Sequence, residues 1–222
     1  MTLPLRVAHT SFWLSHGTFW FTLLLGMVLG TSDVCIPYLT GCISITATGI
    51  PDPQGFVFRG GLISACVLFI VWWYCMQAWL IEIAPERPIW TVKYMVSAGI
   101  ISSVCLIIAT AVLRPDKASL PWTVHTVGAA LFFLISLAVQ TRITYWLRHL
   151  ARRGVDIGTS LTMKFVLVYA QWFFLLLMIV LQLVESDDRW KNIVEWWMAL
   201  LIGLFYLSSA RDWHSFRLTD TD

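Results

Sequence analysis

Six stretches of this chain, each 19 to 24 residues long, contain a single Asp, Glu, Lys or Arg between them. A bilayer core of about 30 Å is crossed by roughly 20 apolar residues in a helix. Because no water is available at that depth, backbone polar groups must pair within each segment, and spanning segments of this kind are therefore helices. The predicted spans are residues 11–30, 60–81, 94–113, 118–141, 165–184 and 192–210.

The composition of the whole chain supports this prediction. Of its 222 residues, 58% are hydrophobic and 13% are charged, whereas a soluble domain carries about 25% charged residues. So few charges cannot cover a soluble surface, which excludes a cytosolic enzyme, a nucleic-acid-binding domain and a disordered protein. We therefore predict an all-α polytopic membrane protein. It is a six-transmembrane-helix bundle that forms one integral membrane domain over residues 1–222.

The basic residues predict the orientation of the bundle, because cytosolic segments are enriched in Lys and Arg. Ten of the 15 cations fall in the N-terminus, residues 82–93, residues 142–164 and the C-terminal tail, and five fall in the alternate set of segments. This bias predicts that both termini are cytosolic and that residues 31–58 form a luminal loop. The ten are Arg6, Arg87, Lys93, Arg142, Arg148, Arg152, Arg153, Lys164, Arg211 and Arg217.

A cleaved signal peptide is the alternative interpretation of the N-terminus, since Arg6 precedes an apolar run that ends in small residues. The run is about 20 residues long, however, and the apolar region of a signal peptide has about 7–15. We expect the first span to be retained. Cleavage would leave five spans and a luminal N-terminus.

The predicted luminal loop between the first and second spans is the longest connection in the chain. Loops of this length are usually functional, and this one is rich in side chains that form hydrogen bonds. It also contains Cys35 and Cys42, for which an oxidising compartment permits a disulfide, although the sequence leaves their pairing open. The candidate polar residues of the loop are Asp33, Ser44, Thr46 and Asp52.

Ionisable groups at membrane depth are costly and are therefore candidates for function. Glu195 and His125 each lie between one and two turns inside the luminal ends of their spans, and Arg59 lies at the luminal mouth of the second span. One interpretation is a shared polar pocket beneath the loop, with Glu195 paired to His125 or Arg59. The alternative is that each side chain reaches the interface or makes one helix–helix hydrogen bond. His16 lies deeper, in the cytosolic half of the first span, and is predicted to be structural.

Metal chemistry is not expected, because a catalytic zinc site needs about three clustered nitrogen, oxygen or sulfur ligands and no two His are spaced i, i+4. We predict neither a metal nor another cofactor. A cluster of Arg142, Arg148, Arg152 and Arg153 forms a cytosolic basic patch. Topology alone explains this patch, and binding of phosphoinositide headgroups is the alternative.

With these residues identified, the chain resembles the Frag/DRAM/Sfk family of six-span proteins. One matching stretch runs from Cys42 to Gly49 and on to Arg59, and it is similar to the family's Ser-Ile-Ser…Gly…Pro…aromatic pattern. A second consists of residues 94–113 followed by the His-x-x-Gly-Ala motif at His125. A third begins with Glu195-Trp-Trp and ends with Asp212-Trp. The matching positions with ionisable side chains are Arg59, His125, Glu195 and Asp212.

The resemblance implies a protein of the endomembrane system, in the Golgi, the ER or another organelle, with the lysosome and plasma membrane as alternatives. The family includes a Golgi protein of GPI-anchor lipid remodelling, autophagy modulators and a cell-wall biogenesis protein. We therefore expect a lipid-binding or accessory protein in GPI-anchor remodelling. The alternative is a non-enzymatic regulator of autophagy or of phosphoinositide kinase recruitment. The expected partners are membrane lipids, including GPI or phosphoinositides, and other membrane proteins, but not nucleic acids. Whether the protein is an enzyme stays open.

Overall fold

The computed structural model describes residues 2–85, 88–157, 159–184, 186–214 and 216. These residues form eight α-helices and no strand. Two of the cations used for the orientation, Arg87 and Arg217, lie outside the described residues. In chain order, the helices are α1 (Leu3–Val28), α2 (Pro37–Thr40), α3 (Ile45–Thr48), α4 (Gln54–Ile83), α5 (Ile89–Ala111), α6 (Leu120–Arg152), α7 (Leu161–Leu183) and α8 (Asp188–Asp212).

The all-helical, multi-pass architecture predicted from the sequence is confirmed. Within the described residues, five helices (α4 to α8) are long and apolar enough to cross a membrane. The first predicted span falls in α1, which has 26 residues but is not one of these five. Its hydropathy is lowered by a row of buried polar side chains, which includes Ser11, Ser15, His16, Thr18 and Thr22.

Helix boundaries follow from local sequence signals. The hydroxyl of Ser119 accepts a hydrogen bond from the backbone N–H of Trp122 at the start of α6, and Pro121 occupies the first turn, where its missing N–H costs nothing. At the start of α8, the carboxylate of Asp187 accepts from the N–H of Arg189. These caps satisfy N–H groups that have no partner inside the helix.

The six long helices pack in chain order into a closed ring, in which each contacts the next and α8 returns to α1. The core between α4 and α8 is aromatic. Trp72 is completely buried and donates its indole N–H to the carbonyl of Tyr206 at 3.1 Å. Lipid tails are as apolar as these side chains, so helix association depends on close packing rather than on the hydrophobic effect. Gly99 illustrates this, because a Cβ at this position would overlap the ring of Trp73.

The ring has two ends of different chemistry. We call the end where α1 and α5 finish and α4 and α6 begin the loop end, because α2 and α3 cover it. We call the opposite end, where α6 finishes with Arg148, Arg152 and Arg153, the basic end. The candidate site lies inside the ring toward the loop end.

Candidate functional site

A cavity of about 60 Å³ lies inside the ring, below α3. Its walls are mostly apolar and come from α1, α4, α5, α6 and α8, so it is enclosed by helices that are distant in sequence. From Glu195 to Gly203 it follows eight residues of α8, a depth of about 12 Å at 1.5 Å per residue. The apolar lining comprises Phe19, Ile45, Phe58, Leu62, Phe69, Leu106, Ala129, Phe132, Phe133, Ala199 and Ile202.

Three polar side chains meet where this cavity is nearest the loop end. The hydroxyl of Thr46 lies 3.2 Å from Nε2 of His125 and 3.4 Å from a carboxylate oxygen of Glu195. These residues belong to α3, α6 and α8, and all of them line the cavity. His125 and Glu195 therefore share a pocket beneath the loop, as one of the two sequence interpretations proposed, but through Thr46 as an intermediary.

The position of His125 determines which of its nitrogens carries a proton. Its Nδ1 lies 2.8 Å from the carbonyl oxygen of Ala109, and a carbonyl oxygen can only accept a hydrogen bond. Nδ1 is therefore the protonated nitrogen, and in the neutral ring Nε2 is an acceptor aimed at the hydroxyl of Thr46. The ring of His125 is 92% buried, so this orientation is held by the surrounding helices.

Glu195 connects the cavity to the covering loop. In addition to the hydroxyl of Thr46, the carboxylate of Glu195 faces the backbone N–H groups of Ile45 and Thr46 at the start of α3. Ser44 precedes this turn and accepts a hydrogen bond from the N–H of Ala47 at 3.0 Å. The role of Ser44 is thus to shape α3, which positions Thr46.

The loop forms a lid that is bonded to the start of α8. The lid contains a disulfide between Cys35 and Cys42, which closes the turn around α2. Side chains of α8 donate to three of its backbone carbonyls: Asn192 to Gly41 at 2.8 Å, Trp196 to Ile43 at 2.9 Å and Trp197 to Tyr38 at 3.2 Å.

Tyr38 packs between the rings of Trp20, Trp196 and Trp197. Burial raises the pKa of its phenol to about 12, because the phenolate would lose its hydration. The phenol is therefore neutral at physiological pH, and the lid contributes an uncharged aromatic contact to α8.

His16 also lines the cavity, at the level of Gly203 and farther from the lid than Thr46. Its ring is 95% buried and stacks on Phe12, and a Cβ at Gly203 would overlap it. Its Nε2 faces the backbone of Ala199 without a well-formed hydrogen bond. His16 was predicted from the sequence to be structural, and it lies on the cavity wall with an incompletely satisfied nitrogen.

Other predicted residues lie away from this cluster. Arg59 is not among the described residues that line the cavity, and its guanidinium donates to the carbonyl of Leu113 at 3.4 Å. Of the two partners suggested for Glu195, His125 lies with it at the cavity, whereas the described hydrogen bond of Arg59 goes to the backbone beyond α5, which lies beside α4 at this level. Asp33 and Asp52 are exposed on the lid. In the described part of the chain, no group of three or more His, Cys, Asp or Glu side chains is arranged to hold a metal ion.

The four arginines of the predicted basic patch do not form one surface. Arg142 and His149 line a groove of about 190 Å³ beside α5, whereas Arg148 lies over the ring of Phe165 in α7 at 5.3 Å. Arg153 borders a separate depression next to Pro85, and Arg152 is exposed. Helical geometry accounts for this, because Arg148 and Arg152 are four residues apart and share one face of α6, whereas Arg153 follows Arg152 directly and points elsewhere.

A buried ionic cluster at the basic end was not predicted from the sequence. Nζ of Lys164 lies 2.8 Å from the carboxylate of Asp212, and both side chains are at most 1% exposed. The hydroxyls of Ser160 and Ser208 complete the cluster, at 2.6 and 2.8 Å from Nζ. The available signal was the i, i+4 spacing of Ser160 with Lys164 and of Ser208 with Asp212, which puts each pair on one helix face. From the sequence, Lys164 was instead predicted to be a cation of a cytosolic segment.

Comparison with known proteins gives one match. A family model described as Frag1/DRAM/Sfk1/Cwh43P N-terminal domain matches residues 4–216. No curated protein and no solved structure matches the chain.

Proposed function

Since the chain belongs to the Frag1/DRAM/Sfk1/Cwh43P N-terminal domain family, we propose that it binds a membrane lipid in the cavity beneath the lid and acts there in lipid-anchor remodelling. The observation that carries the proposal is the pairing of an apolar cavity with a polar cluster at one end. An ester lipid is divided in the same way, because its apolar acyl chains are joined to polar ester groups. Ligand pockets commonly combine an apolar lining with a few converging polar groups.

We also propose that α1 is a sixth span and that the loop end faces the lumen. The outward face of α1 is apolar, with Trp13, Phe21 and Leu24 each more than half exposed, as expected for a helix in contact with lipid. The arginines at the basic end then lie on the cytosolic side, in agreement with the positive-inside rule. In this orientation the polar cluster lies near the luminal leaflet, where the acyl chains of GPI anchors are found.

Entry of a lipid requires movement of the cavity walls. The free volume is about 60 Å³, which holds a few water molecules but is well below the roughly 300 Å³ or more of a typical ligand pocket. The walls include the phenylalanines at positions 58, 69, 132 and 133. Rotation of these rings opens room for an acyl chain without breaking a hydrogen bond.

Two neighbouring alanines of α6 provide a matched test. Ala129 lines the cavity, whereas Ala130 is exposed on the outside of the ring. We expect Ala129→Phe to reduce labelling by a phospholipid with a diazirine in its acyl chain by about tenfold or more, which corresponds to roughly 1.4 kcal/mol. Ala130→Phe adds the same ring on the outer face and should label like wild type. Mass spectrometry of the labelled peptides gives the site of labelling.

The same pair of variants tests the cellular role. In cells that lack the protein, wild type and Ala130→Phe should restore surface retention of a GPI-anchored reporter, and Ala129→Phe should not. Equal rescue by both variants, together with equal labelling, would exclude the cavity as a functional lipid site.

A second candidate function is supported by the groove that contains Arg142 and His149 next to Trp146. An arginine and a hydrogen-bonding imidazole beside an aromatic ring at a membrane interface suit an anionic lipid headgroup. In this case the protein is a non-enzymatic regulator that recruits partners to phosphoinositides. Labelling concentrated on this groove, and unaffected by Ala129→Phe, would favour the regulator over the remodelling protein.

A further inference from the structure

The hydroxyl of Thr46 differs from the other hydroxyls of the cavity in its hydrogen bonds. The hydroxyl of Ser15 lies 3.2 Å from Nδ1 of the adjacent His16, but among the described residues that line the cavity, both Ser15 and Thr110 donate to carbonyls of their own helices, at 2.9 and 2.7 Å. Such bonds occupy the hydroxyl proton and make the oxygen a poor nucleophile. The hydroxyl of Thr46 instead has side-chain partners, Nε2 of His125 at 3.2 Å and a carboxylate oxygen of Glu195 at 3.4 Å, and its single proton is available to either of them.

Thr46, His125 and Ala109 together have the arrangement of an activated nucleophile. A hydroxyl is activated when an adjacent base accepts its proton and a third group orients that base. Here Nε2 of His125 is the base, 3.2 Å from the hydroxyl, and the carbonyl of Ala109 orients the ring through Nδ1 at 2.8 Å. The orienting group is thus a backbone carbonyl, whereas in Ser-His-Asp hydrolases it is a carboxylate.

We propose that Thr46 is the nucleophile that carries the acyl group as a covalent intermediate in its transfer from one lipid to another. The proposal rests on the proposed function, because it requires a lipid in the cavity, and it adds the class of reaction and the reacting atom. The donor is an ester lipid, and the acceptor is a lipid with a free hydroxyl.

In the first half-reaction, Oγ1 of Thr46 attacks the ester carbonyl while Nε2 of His125 takes the hydroxyl proton. The C–O bond to the donor's alcohol then breaks, and His125 returns the proton to the departing alkoxide. The products are an acyl ester on Thr46 and a lysolipid. In the second half-reaction, the acceptor's hydroxyl gives its proton to His125 and attacks the carbonyl of the acyl-Thr46 ester. The ester C–O bond to Oγ1 of Thr46 then breaks, and His125 returns the proton to Oγ1, which regenerates the hydroxyl. No oxidant, reductant or other co-reactant is required.

Glu195 completes the site as a partner for the positive charge that develops on His125. Both groups contact the same oxygen of Thr46, so the carboxylate lies close to the imidazolium that forms during each attack. In an apolar cavity, a nearby opposite charge stabilises such an intermediate strongly. The acyl chain on Thr46 extends into the apolar part of the cavity, toward Gly203.

A purely mechanical role is the competing explanation, in which Thr46 joins α3 to α6 and α8. The two roles differ for Thr46→Ser, which keeps the nucleophilic oxygen, and for Thr46→Val, which keeps the shape but not the oxygen. Thr40→Val is the matched control, because Thr40 is an exposed threonine of the same lid that donates to the carbonyl of Ile36.

The experiment incubates the purified full-length protein with a phosphatidylcholine that has deuterated acyl chains, in the absence of an acceptor lipid. We expect a deuterated acyl group on the peptide that contains Thr46, stable to neutral hydroxylamine as an oxyester is, in wild type, Thr46→Ser and Thr40→Val. The adduct should be absent in Thr46→Val. In His125→Ala it should form about 100-fold more slowly or less, as expected for loss of a general base.

A lipid acceptor supplies the second half of the test. Addition of a lysophospholipid should remove the adduct and produce a deuterated diacyl lipid, and Glu195→Gln should slow both steps. If wild type is labelled in the cavity by the diazirine lipid but no adduct forms on Thr46, the acyl-transfer proposal is overturned and the lipid-binding function stands. If cavity labelling is itself absent, the proposed function fails as well.

Discussion

Replacement of Asp212 by Asn is expected to destabilise the folded protein by about 3–5 kcal/mol, the cost of leaving a buried charge without its partner. Lys164 and Asp212 are at most 1% exposed and 2.8 Å apart, so the ammonium group that remains cannot reach water. The hydroxyls of Ser160 and Ser208 hydrogen-bond the ammonium but do not neutralise it. Lys164→Met should be similarly damaging, because it leaves the carboxylate unpaired.

The double variant Lys164→Met/Asp212→Leu separates loss of charge balance from loss of the pair itself. It removes both charges, and replacement of a buried ion pair by apolar side chains is often neutral or stabilising. Lys191→Met is the surface control, since Lys191 pairs with the exposed carboxylate of Asp188 at 3.5 Å, a type of pair worth about 0–1 kcal/mol.

Thermal unfolding in detergent measures these differences. A thiol-reactive dye reports unfolding once the half-buried Cys105 is replaced by Ser in every variant, because Cys66 and Cys75 are buried and react only when the bundle opens. We expect Tm to fall by roughly 10 °C in Asp212→Asn and to recover in the double variant. An Asp212→Asn protein as stable as Lys191→Met would contradict a structural role for the buried pair.

Gly41→Ala is expected to detach the lid from α8, at a cost of about 2–5 kcal/mol. Gly41 has φ of +60°, a conformation that costs other residues roughly 1–2 kcal/mol. A Cβ here would also overlap the backbone carbonyl of Arg189, and a backbone atom cannot rotate away. The substitution forces the lid to move, which also strains the hydrogen bond from Asn192 to the carbonyl of Gly41.

Gly30→Ala is the matched control for this substitution. Gly30 has φ of +70°, yet a Cβ there meets nothing within 4 Å. It incurs only the conformational cost, so the difference between the two variants measures the contact of the lid with α8. We expect limited proteolysis to cut residues 31–58 faster in Gly41→Ala, and lipid labelling of the cavity to fall. Equal protection in the two variants would contradict tight packing of the lid on α8.

These predictions assign different tasks to the two ends of the ring. The basic end contains the buried ion pair, which has no access to the cavity and contributes to stability. The loop end contains the cluster of Thr46, His125 and Glu195, which opens into the cavity. Damage to the basic end should therefore lower the amount of folded protein, whereas Thr46→Val or Ala129→Phe should change function with little effect on Tm.

Much of the architecture was predictable because it follows from local hydropathy. A run of about 20 apolar residues can only be a helix in a bilayer, and five of the predicted spans coincide with helices that are apolar and long enough to span. His125 and Glu195 were also identified from the sequence alone, since an ionisable group at membrane depth is expensive. The family resemblance was confirmed over residues 4–216.

The contacts that define the site could not be predicted in this way. Thr46 is 79 residues from His125 and 149 from Glu195 along the chain, and hydropathy contains no information on which helix faces meet. The same limit explains why Arg59 was grouped with Glu195, and why Lys164 was read as a surface cation although it is buried against Asp212. Helix positions are set by local transfer energy, whereas side-chain partners depend on the rotation and order of packed helices, which only the tertiary structure determines.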